Sequence, residues 1–443
     1  MEAGRRMTRT AKSQSIKAEN REKLRKILIV FIILNSLGFP GKYTQILGGF
    51  SQTAMEYLAF GLEILLMMFP DDGDVMSIKL LNLKKKYGAV YFMFFVIFAG
   101  SMAVTRYPKE QLITCVRFTT TGLFALWLAE TYGAVGVLQL ICRAQTWFVG
   151  AVLVFMVLKP NSAFVSEVNA RDFVGILQTK NNAAAELSCG ILLQLALFQI
   201  SREKQETISR SFIILLAVQG AMLLLCNATG AILCAMLPGI YLLGFKKRWG
   251  VQKRLPLGIL YIAGSVGFLI AALSILPLFE PLFDSLGKDA TLTGRVPLWK
   301  QIIKVMTDHH TFLGYGFGMF WRDRTAVALV HSAFSRNSFM GSMSTGAHNV
   351  LLEWWMNVGL FGLGSLFLAL LSSMQNIKRL TEGQYTFCAA FLLWFLLHGL
   401  TERAISPYQY HTLFLFLTMG VACQKPAPVS QRRLRQLERE RQK

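Results

Sequence analysis

The chain has 443 residues, of which 53% are hydrophobic types and only 16% are charged. Soluble domains carry about 25% charged residues, so this composition argues against a water-soluble α/β enzyme. The formal net charge is +21, but much of it lies at the two ends: residues 1–26 hold nine basic and three acidic side chains, and residues 424–443 hold seven and two. No basic module studded with aromatic residues is visible, so nucleic-acid binding is not expected.

Six stretches of the sequence are long, apolar and free of Asp, Glu, Lys and Arg. They are Tyr87–Thr105, Ser211–Phe245, Leu255–Phe279, Trp354–Ile377, Gly383–Thr401 and Ala404–Gln424. A helix needs about 20 mostly apolar residues to cross a bilayer, so these stretches predict transmembrane helices. One of them, Ser211–Phe245, is too long for a single crossing. Its Asn227-Ala-Thr-Gly230 segment predicts a tight turn between two helices, because Asn and Gly interrupt helices.

Shorter or charge-bearing candidates add further crossings. They are Ile27–Phe39, Ser51–Phe69, Gln111–Ala129, Ala134–Leu158 and Leu187–Ile200. Hydropathy therefore predicts an all-α integral membrane protein with about 12 transmembrane helices. A long, partly helical periplasmic or extracellular loop interrupts them.

The predicted organisation has five parts. They are a basic cytoplasmic tail over residues 1–26, a transmembrane bundle of about nine spans over 27–279, a large outward-facing loop over 280–348, the last three transmembrane helices over 349–423, and a second basic cytoplasmic tail over 424–443. Loops longer than about 12–15 residues are usually functional or disordered. Because the 280–348 loop contains apolar patches such as Phe312–Phe320, we expect it to fold and to carry function.

The basic clusters predict the orientation of the bundle. With the N-terminal tail in the cytoplasm, four basic loops also fall on the inner side, together with the C-terminal tail. These loops are Lys79–Lys86, Ser201–Arg210, Lys246–Arg254 and Asn376–Gln384. An excess of Lys and Arg on cytoplasmic loops is the usual pattern in membrane proteins. Both termini are therefore predicted to be cytoplasmic, and three segments to face outward: Lys159–Glu186, Asn227–Gly230 and Glu280–His348.

Motifs for metal, nucleotide or serine-hydrolase chemistry are missing from the sequence. It has no His-Glu-x-x-His and no paired Cys-x-x-Cys, which argues against zinc. It also has no Gly-x-x-x-x-Gly-Lys-Ser/Thr loop for ATP and no Gly-x-Ser-x-Gly nucleophile turn. We therefore expect neither a metal nor a cofactor.

Four polar segments gather at the predicted outer boundary. They are Gln178-Thr-Lys-Asn-Asn182, Thr293-Gly-Arg295, Ala347-His-Asn349 followed by Glu353, and Thr401-Glu-Arg403. Their cationic side chains could clamp a diphosphate through charge-assisted hydrogen bonds. A histidine beside them could accept a hydroxyl proton near neutral pH.

Each of these residues also has a purely structural interpretation. Lys180 and Arg403 could be interfacial side chains that reach for water. Arg295 could be a solvent-exposed residue at a helix start. His348 and Asn349 could simply cap the helix that follows, since Asn is a favoured N-cap.

These motifs, in this order, resemble the O-antigen ligase and Wzy-type polysaccharide polymerase superfamily, and its exopolysaccharide polymerases in particular. The residues that carry the likeness are Lys180-Asn181, Thr293-Gly-Arg295, Trp299, Gly314-Tyr-Gly316, Ala347-His-Asn349, Leu351, Leu352, Glu353, Gly359 and Gly362. The likeness extends roughly from Phe173 to Tyr410. Each motif alone is weak, whereas their shared order, spacing and side of the membrane are fairly specific.

The resemblance implies a bacterial inner-membrane glycosyltransferase. It would use a glycan on undecaprenyl diphosphate as donor at the outer face of the membrane, with inversion and without a metal. His348 matches the family's key histidine and Arg295 its loop arginine, so both are the catalytic candidates. The candidates for substrate binding are Lys180, Asn181, Arg171, Asn349, Glu353 and Arg403. Implied partners are the lipid-linked donor, a glycan or lipid-core acceptor, membrane lipids, a flippase and a chain-length regulator.

The sequence departs from the family at one place. Many members carry a Ser-x-Ser-Arg-like sequence where this chain has Asn227-Ala-Thr-Gly230. An arginine often assigned to diphosphate binding is therefore missing. Lys180, Arg171 or Arg403 would have to supply its charge.

Two other functions remain open from the sequence. A ligase of the same superfamily would transfer a finished glycan to a lipid core or to protein. A permease for an anionic or lipid-linked solute would also suit about 12 spans. In a permease, the intramembrane residues Glu56, Glu63 and Arg117 could line a path, because ionisable residues inside a membrane are costly and often functional.

Overall fold

The structure is a computed structural model. It describes residues 2–47, 52–69, 86–167, 170–207, 209–245, 254–275, 278, 292, 294–332, 334, 346–403 and 409–424. Within these ranges, only the backbone is described at 2–15, 17, 45, 47, 166–171 and 245.

The described residues form thirteen helices of eight residues or more and one short hairpin. The helices are α1 (Glu2–Ser36), α2 (Gln52–Met68), α3 (Gly88–Val104), α4 (Pro108–Leu158), α5 (Lys180–Glu203), α6 (Arg210–Leu225), α7 (Thr229–Ile240), α8 (Leu257–Ser274), α9 (Arg295–His309), α10 (Arg324–His331), α11 (Val350–Met374), α12 (Glu382–Thr401) and α13 (Tyr410–Ala422). The strands are β1 (Phe164–Glu167) and β2 (Ala170–Phe173).

The helices have the length and composition of a membrane bundle. Among the described helices, five are long and apolar enough to cross a bilayer, namely α4, α5, α8, α11 and α12, and α3, α6, α7 and α13 are shorter apolar helices. Large apolar side chains such as Phe95 and Trp147 are exposed. Lipid-facing helices present such surfaces, because hydrocarbon, unlike water, does not disfavour exposed apolar side chains. The prediction of a helical membrane protein is confirmed, while the number of twelve crossings stays a prediction.

Two of these helices are interrupted at a glycine in a left-handed conformation. Gly133 (φ 63°) divides α4 into two helical segments, at the boundary that the sequence predicted between Gln111–Ala129 and Ala134–Leu158. Gly359 (φ 65°) interrupts α11. An added Cβ at Gly359 would lie 2.1 Å from the carbonyl oxygen of Phe312. Only glycine combines this backbone conformation with so close an approach.

Other local features agree with the sequence or add to it. Helix α6 ends at Leu225 and α7 begins at Thr229, so a turn separates two helices as predicted, but it lies at residues 226–228 because Thr229 and Gly230 already belong to α7. Residues 2–26, predicted as a tail, continue α1 as helix. The hairpin was not predicted. Its antiparallel strands pair Phe164 with Phe173, and they lead into α5.

Helix α12 marks two opposite ends of the bundle. Its 20 residues span about 30 Å, which is the thickness of the hydrocarbon core. At its first residue, Glu382 binds Arg254 at 2.6 Å. Just past its last residue, Glu402 binds Arg295 at 2.8 Å. We call these the Arg254 end and the His348 end, because His348 also binds Glu402.

The described part of the 280–348 loop folds over the His348 end. Helices α9 and α10 share a small core with α11, in which Trp299, Phe320 and Met356 are fully buried. The segment Gly314–Gly318 packs against the Gly359 break, and the Tyr315 N–H donates to the Met356 carbonyl at 2.9 Å. Helix α9 therefore covers the bundle and brings Arg295 to one end of it.

The Gly359 break generates a stability prediction. We expect Gly359→Ala to lower the free energy of unfolding by more than about 2 kcal/mol, because it combines positive-φ strain with a backbone clash. The measurement is the apparent Tm of the purified protein in detergent. Gly364→Ala is the matched control, since an added Cβ there meets nothing within 4 Å. Equal Tm values for the two variants would contradict the close packing at Gly359.

Candidate functional site

His348 lies in a tight loop and has a left-handed backbone conformation. Its φ is 49°, a conformation that is uncommon for a residue with a side chain and costs about 1–3 kcal/mol. Such strain persists only where the surrounding structure enforces it, and it is often found at functional sites. The loop that enforces it is the Gly346–Asn349 segment.

Three side chains hold this loop from different directions. Trp299 of α9 donates its indole N–H to the Ala347 carbonyl at 2.8 Å. The Glu353 carboxylate accepts the Ala347 N–H at 2.8 Å. Asn349 caps α11 by accepting the N–H groups of Leu351 and Leu352. The imidazole of His348 is thus presented on a fixed backbone at the start of a long helix.

Arg295 begins α9, and the sequence around it explains why. Gly294 adopts a left-handed conformation (φ 82°) as the N-cap, which suits glycine. Trp299 follows Arg295 by four residues and therefore lies on the same side of the helix. The tryptophan binds the His348 loop, so the same helix side that carries Arg295 faces the histidine.

Arg295 and His348 meet at one carboxylate, that of Glu402. The Arg295 guanidinium donates to Glu402 Oε1 at 2.8 Å, and His348 Nδ1 lies 3.1 Å from Glu402 Oε2. The Asn181 amide also donates to Oε1, at 3.3 Å. Residues from α5, α9, the His348 loop and the end of α12 therefore converge on a single acidic group.

A cavity of about 250 Å³ opens beside this carboxylate. Arg295, Glu402 and His398 contribute its ionisable lining, and Asn181 and Thr401 add polar groups. Asn227, Ala228 and the first residues of α7, from Thr229 to Ala231, form the rest of its wall with Cys234. A cavity of this volume and polarity is large enough to take a polar headgroup or a sugar ring.

A second charge cluster lies on the same wall. Lys180, at the start of α5, donates to Asp172 Oδ2 at 2.7 Å. The Asn227 amide donates to Asp172 Oδ1 at 3.2 Å. The hairpin strand β2 thus supplies the acid that connects Lys180 to the 227–230 segment. Because Asn181 directly follows Lys180, both clusters lie at the His348 end.

The electrostatics of the two acids follow from these contacts. Burial by itself raises the pKa of the Glu402 carboxyl, but the His348 hydrogen bond and the Arg295 charge oppose burial and lower the pKa to about 2. The Lys180 hydrogen bond lowers the pKa of Asp172, with the Asn227 bond in support. Both acids are therefore ionised at neutral pH.

The remaining sequence candidates occupy different positions around the site. Asn349 and Glu353 are buried and bind backbone or tryptophan groups under the loop. Arg403 is exposed and lies against Gly346, where an added Cβ would come within 2.9 Å of its side chain. Arg171 belongs to β2 opposite Ser166, but its side chain lies outside the described residues. Thr293 also lies outside them.

Sequence reasoning missed Glu402, Asp172 and the structural part that Trp299 plays. The sequence carries one signal for Glu402, since it is an acid directly after an apolar span in Thr401-Glu-Arg403. Asp172 had none, because the hairpin itself was not predicted. Trp299 appeared only as a motif residue.

A third polar cluster lies elsewhere, among α1, α2 and α4. Arg117 binds Glu56 at 3.3 Å, and Thr121 donates to Glu63 at 3.1 Å. The cavity beside them is only about 20 Å³, enough for a single water molecule. Each of these two acids thus has a polar partner on α4, and the described cavity is too small for a solute path.

Comparison with known proteins identifies similar sequences. A family model described as Wzy_C, O-antigen ligase, matches residues 212–367. The exopolysaccharide production protein ExoQ of Rhizobium meliloti (strain 1021) is 26% identical over 258 residues, which are 56% of this chain and 58% of that protein. The match thus spans little more than half the length of this relative. The resemblance to the O-antigen ligase and Wzy-type superfamily is confirmed.

The family match covers only part of the site. It includes the 227–230 segment, Arg295 and the His348 loop, whereas Lys180 and Glu402 lie outside the matched residues 212–367. The structure shows that residues inside and outside the matched region line one cavity. The site is therefore wider than the family segment.

The capping geometry predicts that Asn349 acts through stability. We expect Asn349→Ala to lower the free energy of unfolding by about 1–2 kcal/mol, because two N–H groups of α11 lose their acceptor. It also removes the bond from the Asn349 amide to the Leu400 carbonyl at 3.1 Å. Asn349→Ser keeps a capping oxygen and should recover most of the loss in apparent Tm. A serine variant as unstable as the alanine variant would contradict the capping role.

Proposed function

We propose that this protein is a membrane glycosyltransferase that polymerises or transfers undecaprenyl-diphosphate-linked glycan units at the outer face of the bacterial cytoplasmic membrane. One observation carries the proposal. The candidate catalytic residues Arg295 and His348 come from remote parts of the chain and bind the same carboxylate beside a polar cavity. The similarity to O-antigen ligases and to an exopolysaccharide production protein supports the reaction class.

The location of the site suits a lipid-linked substrate. The His348 end lies about one bilayer thickness from the Arg254 end, as the length of α12 requires. Basic residues such as Lys378 and Arg379 follow α11 near Arg254, which binds the Lys378 carbonyl. Since basic loops favour the cytoplasmic side, the Arg254 end faces inward and the His348 end outward. In this proposal, the chain crosses twelve times, counting the two halves of α4 separately, and both termini are cytoplasmic.

Arg295 has the chemistry to stabilise a diphosphate leaving group. Its guanidinium has five N–H donors, and Glu402 takes one of them, so the others can bind phosphate oxygens. Negative charge develops on the diphosphate as the bond to the sugar breaks, and fixed cations beside it lower the barrier. Lys180 at the same end would add a second positive charge. With these cations the proposed reaction requires no metal.

His348 has the chemistry to activate the acceptor. The acceptor hydroxyl would attack the anomeric carbon from the side opposite the diphosphate, which inverts that centre. As the new glycosidic bond forms, the hydroxyl proton moves to the imidazole and the diphosphate departs with the bonding electron pair. A positioned histidine contributes about 10²–10⁴-fold to such a step. Asn181, beside Arg295 and Glu402, would bind sugar hydroxyls or phosphate.

Asn349 and Glu353 would contribute by positioning, because their polar groups hold the His348 loop. Arg403 and Arg171 remain candidates for the outer rim of the diphosphate site. The substrates and partners proposed here are the lipid-linked donor, a glycan or lipid-core acceptor, and the flippase and chain-length regulator that would supply and limit the chains.

Ligation of a finished glycan is the second candidate, since the matching family model is described as O-antigen ligase. Ligation and polymerisation would use the same donor and the same residues. They differ in the products left by an inactive variant. Single repeat units indicate a polymerase, whereas long lipid-linked chains indicate a ligase.

The catalytic assignment predicts large losses of activity. We expect His348→Ala and Arg295→Ala each to reduce release of undecaprenyl diphosphate by about 10²–10³-fold, because they remove the base and a cation of the transition state. The measurement uses purified protein and the lipid-diphosphate repeat unit isolated from cells that lack this protein.

Two matched controls lie on α9. His309, a histidine like His348, and Lys300, a cation like Arg295, are exposed on the helix that carries Arg295. His309→Ala and Lys300→Ala should keep activity within about twofold of the unsubstituted protein, as surface substitutions usually do. Wild-type turnover in both His348→Ala and Arg295→Ala, at normal protein levels, would refute the site.

A further inference from the structure

We infer that Glu402 is the positioning residue of this site, which holds Arg295 in place and fixes Nε2 of His348 as the atom that accepts the proton. The inference rests on the proposed function and assigns a role to a residue outside the family match. It is carried by the hydrogen bonds of one carboxylate, by its attachment to the scaffold, and by the tautomer that it imposes.

Both oxygens of Glu402 are engaged. Oε2 lies 3.1 Å from His348 Nδ1, and Oε1 accepts from Arg295 at 2.8 Å and from Asn181 at 3.3 Å. The three partners are 54, 107 and 221 residues away in sequence. Because the two oxygens belong to one rigid carboxylate, binding one partner on each oxygen keeps the imidazole and the guanidinium close to each other.

Glu402 is held firmly by the end of α12. As the C-cap residue, it donates its backbone N–H to the His398 carbonyl at 3.0 Å. The last turn of α12 also binds the His348 loop, since the Asn349 amide donates to the Leu400 carbonyl at 3.1 Å. Two bonds therefore connect the His348 loop to α12. The partner of the imidazole moves with the loop that carries it.

The ionised carboxylate decides which ring nitrogen carries the proton. An ionised carboxylate can only accept hydrogen bonds, so its bond to His348 requires a proton on Nδ1. In the neutral ring, the other nitrogen, Nε2, then lacks a proton and can accept one. When the acceptor hydroxyl gives up its proton, the O–H bond breaks, an Nε2–H bond forms, and the resulting imidazolium lies next to a negative charge that stabilises it.

The same carboxylate orients Arg295 without occupying all of its donors. Glu402 uses one N–H of the guanidinium, so the remaining donors of the fork can contact phosphate. Glu402 thus fixes the base, His348, and the cation, Arg295, relative to each other. Removing its charge should disturb both the protonation of His348 and the turnover of the enzyme.

The test compares Glu402→Gln with the unsubstituted full-length protein through two measurements. The first is the pH dependence of carbethoxylation of His348 by diethyl pyrocarbonate, followed by mass spectrometry of the peptide. The reagent attacks the neutral ring, so it reports protonation without requiring activity. The second is the rate of undecaprenyl diphosphate release from the isolated lipid-linked repeat unit, measured as kcat and KM across pH.

We expect Glu402→Gln to change the pH profile of His348 modification, because the ring loses the carboxylate that holds the proton on Nδ1. We expect kcat to fall about 10²-fold with KM for the donor changed less than about threefold. Glu402→Asp keeps the charge on a shorter side chain, and both measurements should fall between those of the other two proteins. If the glutamine variant does not fold, the aspartate variant carries the comparison. Glu203→Gln, at the far end of α5, should leave both measurements unchanged.

The outcomes separate this inference from the proposed function. An unchanged modification profile in both Glu402 variants, with wild-type turnover, would overturn the role of Glu402 and leave the transferase proposal intact. If the Glu402 variants change the modification profile but the unsubstituted protein releases no lipid diphosphate, the transferase proposal is overturned and the coupling of Glu402 to His348 is kept.

Discussion

The carboxylate of Glu402 joins parts of the chain that have little else in common. Helix α5 supplies Asn181, the folded loop supplies Arg295, and the start of α11 supplies the loop that carries His348. Each group would otherwise be a separate polar residue at the edge of an apolar bundle. A buried or half-buried charge is tolerated only when it is paired and hydrogen-bonded. The mutual pairing of these groups therefore defines the site and also offsets the desolvation cost of placing charges beside an apolar bundle.

The left-handed conformation of His348 shows how the surrounding fold supports that site. A strained backbone persists only when its neighbours over-determine it. Here the neighbours are Trp299, Glu353 and Asn349, which bind the backbone on both sides of the histidine. Residues that appear together in the sequence motifs thus have different roles in the structure. Arg295 lines the cavity and His348 binds the Glu402 carboxylate that also lines it, whereas Trp299, Asn349 and Glu353 keep the loop in its conformation.

The sequence predicted the features that depend on local composition. Apolar stretches located the membrane helices, and the Asn227–Gly230 segment located a turn, because both follow from the preferences of neighbouring residues. The motifs also selected Arg295 and His348, which the structure brings together. The boundary near Gly133 was also predicted, whereas the break at Gly359 was less visible, since isolated glycines inside apolar stretches are common in membrane helices.

Long-range pairing accounts for what the sequence did not predict. Glu402 is a single acid after an apolar stretch, and nothing near it in sequence indicates partners more than 50 residues away. The hairpin strands have four residues each, too few for a clear alternating pattern. Asp172, which lies on one of them, was therefore missed together with its bond to Lys180. Only the folded chain shows that Lys180 lies at the His348 end as an ion pair with Asp172.

The two acids, Glu402 and Asp172, balance the positive charges of the site. Without Glu402 and Asp172, Arg295 and Lys180 would form a strongly cationic patch that attracts any anion. With both acids ionised, each cation is paired with an acid within 3 Å, so the four groups together carry no net charge at rest. A diphosphate would then bind through oriented hydrogen bonds from donors that the acids do not occupy, rather than through a net positive charge. In the proposed function, Arg403, exposed beside Gly346, would add positive charge at the outer rim of the diphosphate site. The missing arginine of the 227–230 segment fits this arrangement, because Asn227 binds the acid that holds Lys180 and thereby brings a cation to the same wall.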